Sequence, residues 1–455
     1  MRESRRGRPC ASFRLAFALT SAAVLCPLLF LLAQLFRGGL ASEVAAPLRS
    51  AMAAQHSVRR GVLPSRSQWP RPPRAEVEAQ SPNSPVVHLV ATAPRAMPLL
   101  LTHGASYDAA AVIASIGVPA AHLVGKDGKA PLLVIYGSQD AWKDYVSEEF
   151  FHLFRLLQHA HGWVIVQQTP APTWEAFGDA VAISLGGRTP DVLLLMEEYS
   201  TLAPLNGSRA SSRLARTHII LYGNDLHTFT DAASVEKLAA IRVADTFAGS
   251  YTYNLGVMYP QLASKRTLWL PHAASAVFLL PLRPRSAVFI KVFLSGATSA
   301  LWYPYRAQAE ARVMANDTRI VQHVHPGYGP FPSNAVGAGF AALINQHLAC
   351  LTDGLILNYS VGKIFELPAA GCLLLLNAEM APVMEQLGFQ PMVHYVPYIA
   401  ETMDVVIDAV LAPENSAAVD MMRQQGQALV WARHTSSNRA AALHAHAVRM
   451  ISGDD

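Results

Sequence analysis

The chain has 455 residues, 51% of them hydrophobic and 15% charged, with 36 basic against 32 acidic side chains and a formal charge of +4. This composition excludes a disordered chain, a collagen and a coiled coil, and four cysteines exclude a disulfide-dense scaffold. The basic excess sits at the front: the first 95 residues hold thirteen arginines, no lysine and four acids, so the body behind them is mildly acidic and shows no basic footprint for nucleic acid.

Arg2, Arg5, Arg6, Arg8 and Arg14 precede an uncharged apolar stretch at 15–36. Such a stretch is long enough to cross ~30 Å of hydrocarbon as a helix. Arginines in front of it orient residues 1–14 as a cytosolic tail and place the body in a lumen. A signal peptide cleaved near Gly39-Leu40-Ala41 is the alternative, although its apolar region usually spans only ~7–15 residues. Residues 37–95 mix Pro64, Pro70, Pro72, Pro73, Pro82 and Pro85 with Arg, Ser, Gln and Ala, which predicts an extended stem. Anchor, stem and body are the layout of a single-pass type II protein of the Golgi or another secretory-pathway membrane, whether enzyme or tethered receptor. Three sequons fit a lumenal body: Asn206-Gly-Ser208, Asn316-Asp-Thr318 and Asn358-Tyr-Ser360. Cys10 and Cys26 fall in tail and anchor. Cys350 and Cys372, both in apolar surroundings, are left as a lumenal disulfide or as buried free thiols.

From about residue 130 short apolar runs alternate with helical patterns. Strands are expected at 131–136, 163–166, 191–195 and 218–222, in a fifth region around Phe247 and Tyr251 to Tyr253, and at 267–270, with a helix over 144–159. Residues 281–285, Pro-Leu-Arg-Pro-Arg, read as a linker. The pattern then restarts with strands at 288–294, 319–324, 354–357, 372–376 and 394–398, and long helices follow from Asp404. Continuous apolar strands between helices predict parallel sheets covered on both faces. The fold class is therefore α/β, with two doubly wound, Rossmann-like lobes at 96–283 and 284–455, the closing helices included in the second. Ligands of such lobes bind at the carboxyl ends of the strands. Residues 96–129 read as an appendage of the first lobe.

The most informative stretch is Asn358-Tyr-Ser-Val-Gly-Lys-Ile-Phe-Glu-Leu-Pro-Ala-Ala-Gly371. It predicts a short helix after a strand, closed early by Pro368. Such a helix start offers free backbone N–H groups to a diphosphate. Lys363 would add charge there, Glu366 would accept hydrogen bonds from ribose hydroxyls, and Gly371, after two alanines that allow close packing against the next strand, is counted with them as a substrate-binding candidate. A packed helix with a solvated glutamate is the plain alternative. Arg306, after Tyr303-Pro304 and near the Gly296 turn, is a second candidate for the diphosphate or a surface ion-pair partner. His272 and His227, each just beyond a predicted strand, are candidates to orient an acceptor hydroxyl or act as base. His323 and His325 alternate on a strand. His444 and His446, two apart on a helix, point in different directions and make a poor metal pair. No Cys/His cluster has zinc spacing, and Gly337-Ala-Gly339 reads as helix packing.

Lys363-Ile-Phe-Glu-x-x-Ala-Ala-Gly371 before an apolar strand resembles the nucleotide-sugar segment of group 1 glycosyltransferases of the GT-B fold. Over 215–445 the chain also resembles their CgeB-type, spore-maturation branch, through Gly223-Asn-Asp-Leu-His227, Trp269-Leu-Pro-His272, Leu294-Ser-Gly296 with Tyr303-Pro-Tyr-Arg306, Gly388-Phe with His394-Tyr, and His434-Thr with Arg439. The resemblance implies transfer of a sugar from a nucleoside diphosphate to a hydroxyl of a glycan, protein or lipid. It gives Glu366 the donor ribose, the first lobe the acceptor, and returns the last helices toward the first lobe. Many group 1 enzymes carry a further acid eight positions before that glutamate. Here Asn358 stands there, able to bond a sugar hydroxyl or phosphate without being a carboxylate. A glycan on Asn358 would crowd the cleft, so that sequon is expected unoccupied. No two aspartates lie two residues apart, so the diphosphate-metal pair of single-lobed transferases is missing and metal-independent transfer, with no cofactor, is expected. The rival reading is a membrane-anchored sugar- or nucleotide-binding protein, or a catalytically dead relative.

Overall fold

A computed structural model of the protein describes residues 130–137, 149–167, 169–227, 231–325 and 336–453. The expected tail, anchor, stem and appendage, 1–129, lie outside the described residues, and among the described residues no helix is long and apolar enough to cross a membrane.

The first sheet has six parallel strands: β1 (Leu133–Tyr136), β2 (Val164–Val166), β3 (Val192–Met196), β4 (His218–Tyr222), β5 (Thr246–Gly249) and β6 (Thr267–Trp269), in the order β2-β1-β3-β4-β5-β6. Every residue of β1 and β3 is buried, which is why these runs are apolar without alternation. Helices cover both faces, among them α1 (Glu149–His161), α2 (Trp174–Ser184) and α3 (Asp231–Val243). The fifth strand ends at Gly249, and Tyr251 to Tyr253 form a turn beyond it rather than part of the strand.

The second sheet has five parallel strands: β7 (Phe289–Ser295), β8 (Ile320–His323), β9 (His347–Thr352), β10 (Leu373–Asn377) and β11 (Tyr395–Tyr398), in the order β11-β10-β9-β7-β8. Its helices include α4 (Pro304–Met314), α5 (Gly337–Asn345), α6 (Lys363–Ala369), α7 (Met403–Leu411) and α8 (Ser416–Arg433). The strand expected at 354–357 is displaced. The buried run is His347–Thr352, and Leu355 and Asn358 take left-handed conformations at φ 57° and 53°, which no strand accommodates. Cys350 in β9 and Cys372 at the start of β10 are joined by a disulfide, which resolves the alternative left open by the sequence.

The final helix, α9 (Ser436–Ser452), corrects the lobe boundary. It packs on α1, burying Ala440, Leu443 and Ala447 with Phe150, Phe154 and Leu157, so it belongs physically to the first sheet. Thr435 and Asn438 close its start as a reciprocal cap. Trp163 Nε1 donates to His444 Nδ1 at 3.3 Å, while His446 Nε2 meets Thr246 Oγ1 at 3.3 Å. His444 and His446 thus serve different partners in the same seam.

Candidate functional site

The carboxyl end of β7 runs into Gly296, at φ +96°. Such a conformation, open to glycine, lets the chain turn away from the sheet. Helix α4 then starts at Pro304, with Tyr303 just before it. Asp353 follows β9 directly and closes this start: its Oδ2 accepts the N–H groups of Tyr305 and Arg306, both at 3.2 Å. Arg306 is buried. Its Nε lies 3.1 Å from Asp353 Oδ1, its Nη2 donates to the Asp353 carbonyl at 3.1 Å, and its guanidinium stacks 4.0 Å from the Tyr303 ring centre. Burial pushes the Asp353 carboxyl up, against the opposing pull of Arg306. The surface ion pair considered for Arg306 is therefore a buried one.

Helix α6 brings in the next charges. Lys363 Nζ lies 3.8 Å from Glu366 Oε2 and 4.5 Å from the Phe340 ring centre. Glu366 is only 3% exposed. Burial pushes its carboxyl up and the Lys363 ammonium down, each opposed by the other's charge. The start of this helix differs from the expectation. The N–H groups of Ile364, Phe365 and Glu366 already bond to the carbonyls of Val361 and Gly362, so they are not free for a ligand. What converges instead is side chains. A Cβ at Gly296 would meet Arg306 Nη1 at 2.7 Å and Lys363 Cε at 2.8 Å. His325 lies within electrostatic reach of both cations, and His323 of Lys363.

The first sheet supplies the facing groups. His272, just beyond β6, is 8% exposed. Its Nδ1 lies 2.7 Å from Glu149 Oε2, and its Nε2 lies 2.9 Å from the Tyr251 hydroxyl. Glu149 Oε1 also accepts the N–H of Ala273 at 2.8 Å. Arg439 of α9 holds the adjoining backbone, donating to the carbonyls of Pro271 at 2.7 Å and His272 at 3.2 Å. Burial lowers the imidazole most of any single influence, but the charge and hydrogen bond of Glu149, with the charges of Asp225 and Glu366, together turn the net displacement upward.

The two halves meet through aromatic rings. Tyr251 stacks on Tyr359 with ring centres 3.8 Å apart. Tyr253 donates its hydroxyl to the Asn358 carbonyl at 2.8 Å and accepts the Ser360 N–H at 3.0 Å. Glu366 feels the charges of both Glu149 and His272, so the acid of α6 and the histidine of the first sheet share one electrostatic environment.

The structure brings together Gly296, Tyr303, Arg306, Lys363 and Glu366, with His272 facing them. His227 sits in the same seam, its ring 5.2 Å from Trp302 and 5.7 Å from Tyr359, and burial lowers it. Asn358 is exposed, and its carbonyl, not its amide, is tied to the seam. Gly371 lies at the other end of α6 from Lys363: a Cβ there would meet Leu282 at 3.0 Å and Gln427 at 3.3 Å, and its carbonyl takes Arg423 Nε, so it serves packing rather than the charged cluster. Sequence reasoning missed Asp353, Glu149 and Tyr251. It also missed Glu197, a left-handed residue at φ 53° after β3, whose Oε1 accepts the Asn224 N–H at 3.1 Å. An acid or tyrosine directly beyond a strand end was the available signal for Asp353, Tyr251 and Glu197. Glu149 carried none, since its partner is 123 residues away. Among the described residues no three His, Cys, Asp or Glu side chains gather as metal ligands.

The chain matches no protein-family profile and no curated protein sequence. Solved structures similar to it include a glycosyltransferase from Rickettsia africae, at 8% identity and a TM-score of 0.45 over 71% of this chain and 100% of that one. Another is HepE from Anabaena in complex with UDP, at 11% and 0.45 over 70% and 99%. A third is the pneumococcal O-GlcNAc transferase GtfA in complex with UDP and GlcNAc, at 11% and 0.37 over 61% of this chain and 60% of that one.

Proposed function

We propose that the chain is a GT-B-type glycosyltransferase that moves a sugar from a nucleoside diphosphate to a hydroxyl group. The observation that carries this reading is the convergence of Arg306 and Lys363 on Gly296, with buried Glu366 one helical turn beyond Lys363 and His272 facing it. Two cations at a glycine turn beyond a strand end suit a diphosphate, which needs positive charge and close backbone approach. Glu366, three residues on, would take the ribose hydroxyls. In the reaction the bond from the anomeric carbon to the diphosphate oxygen breaks, one to the acceptor oxygen forms, and the acceptor's proton passes to His272 as the candidate base. Lys363 and Arg306 take the charge that grows on the leaving diphosphate, in a setting of low dielectric where fixed charges act strongly. We read the transfer as metal-independent for the same reason.

We also propose that residues 15–36 anchor the chain as a type II protein with its body in the secretory lumen. The Cys350–Cys372 bridge supports this, because disulfides persist in oxidising compartments. The second reading, a lumenal binding protein without turnover, draws on Arg306, whose guanidinium is already engaged by Asp353.

The test uses the full chain in detergent with a panel of UDP-, GDP- and CMP-sugars, with chelator, beside Glu366→Ala. The expected result is nucleotide release from one donor, lost in the variant. Donor-specific thermal stabilisation without release, with acceptors supplied, favours the binding protein. A folded protein that shows neither release nor stabilisation overturns the reading.

A further inference from the structure

We propose that Glu149 is a positioning residue of this site: its carboxylate fixes the His272 ring by Nδ1, so that Nε2 is presented to Tyr251 at the seam between the two sheets. The inference rests on the reading of His272 as part of a transferase site, but its geometry stands independently.

Three observations carry it. Both carboxylate oxygens are committed to one short stretch, Oε2 to His272 Nδ1 at 2.7 Å and Oε1 to the Ala273 N–H at 2.8 Å. A carboxylate held at both oxygens cannot swing away, so it selects the ring orientation and keeps hydrogen on Nδ1. Second, the backbone carrying the ring is held from the opposite side by Arg439, through the Pro271 and His272 carbonyls. Ring and backbone are therefore pinned by separate elements, α1 and α9. Third, the chain of contacts continues outward: Nε2 meets the Tyr251 hydroxyl at 2.9 Å, and Tyr251 stacks on Tyr359 of the second half. A structural carboxylate serving Ala273 alone would need none of this.

The charged and titratable groups facing His272 are Glu149 from α1, Asp225 beyond β4, Tyr251 beyond β5, Glu366 from α6 and Arg439 from α9. Among those that raise the imidazole, Glu149 is first, while burial opposes it. Replacing Glu149 by a neutral isostere leaves burial as the larger influence. Its midpoint should then fall, to the acid side of the ordinary 6.5.

The experiment is a pH titration of 13C-labelled histidine rings in the full-length protein, with the His272 signal assigned by its loss in His272→Asn. Wild type, Glu149→Gln and Glu149→Asp are compared. The expected result is a His272 midpoint that drops in Glu149→Gln and is partly restored in Glu149→Asp. An unchanged midpoint in folded Glu149→Gln overturns the proposal. If Glu149→Gln does not fold, a stability cycle decides, using Glu149→Asp and His272→Asn singly and together. Non-additive costs support action through His272, and additive costs overturn it. Neither readout requires turnover, so a failed transferase reading remains distinguishable. Where release is measurable, its pH profile should move with the His272 midpoint, and a purely structural acid would leave that profile in place.

Discussion

The carboxyl ends of the two sheets present different chemistry. Around β7, β8 and β9 the chain gathers Arg306, Lys363, His323 and His325, relieved by Asp353 and Glu366. Around β3, β5 and β6 it gathers Glu197, Tyr251, His272 and the incoming Glu149. Nearly the same architecture, a parallel sheet with helices on both faces, therefore carries two cations beyond one sheet and a carboxylate–histidine–tyrosine chain beyond the other. The difference lies in a handful of residues directly beyond the strands, while the strands themselves are almost interchangeable apolar runs.

The largest expected effect breaks the cationic side. Arg306→Met leaves the Asp353 carboxylate buried without its partner, which costs about 3–5 kcal/mol. Chemical denaturation should show this loss, and Asp353→Asn in the same chain, which removes the charge but keeps an oxygen for the Tyr305 and Arg306 N–H groups, should recover part of it. If Arg306 also serves the donor, the recovered protein stays stable and still fails to bind nucleotide. Next, His272→Asn on the other side should lower donor-dependent nucleotide release by about 10²-fold or more while leaving donor affinity in place. Lys363→Ala should do the reverse, weakening nucleotide binding by calorimetry about tenfold to a hundredfold, as expected for a charge-assisted contact of about 1.5–3 kcal/mol.

Acidity sharpens the comparison further. His218 and His444 are each pushed down to about 4, chiefly by burial, so the folded state keeps them neutral. Their stabilising effect is complete above 6.5 and is lost as pH falls from 6.5 toward 4, because the unfolded chain then binds more protons. His272 acts in the opposite sense. It is raised, so its contribution is complete below 6.5 and is lost as pH rises through the folded value. Thermal melts should fall on acidification, and His444→Gln should flatten that acid limb. The smallest effect is expected at Asn358→Gln. That side chain is exposed, so stability should change by under about 1 kcal/mol, mostly through the left-handed backbone that asparagine tolerates best.

The sheets were readable because buried parallel strands must be apolar throughout, as at Val192–Met196 and Leu373–Asn377. Gly354–Leu357 misled because hydropathy cannot distinguish a strand from a buried turn, and a left-handed Leu355 leaves no mark in composition. In the site, Lys363, Glu366 and Arg306 were legible since they sit within short motifs. The Glu149–His272 pair was not, since only the folded chain brings α1 beneath β6. Gly371 was assigned to the ligand because a glycine after a functional helix looks alike whether it meets a nucleotide or Leu282.

The Cys350–Cys372 bridge spans a separation of 22 residues, and everything between them lies on one covalent ring. That ring includes Asp353, Asn358, Lys363 and Glu366. A protease that nicks the exposed turn near Ile356 would leave the two fragments tethered and both flanking strands still side by side. Closing a loop of this size is worth about 3 kcal/mol. Material made in a reducing cytoplasm would therefore differ in kind from secreted material. Its strands and α6 would still pack through Ile364, Phe365 and Leu367, but the segment between the strands would lose its covalent closure, and its stability would depend on which compartment the chain had passed through.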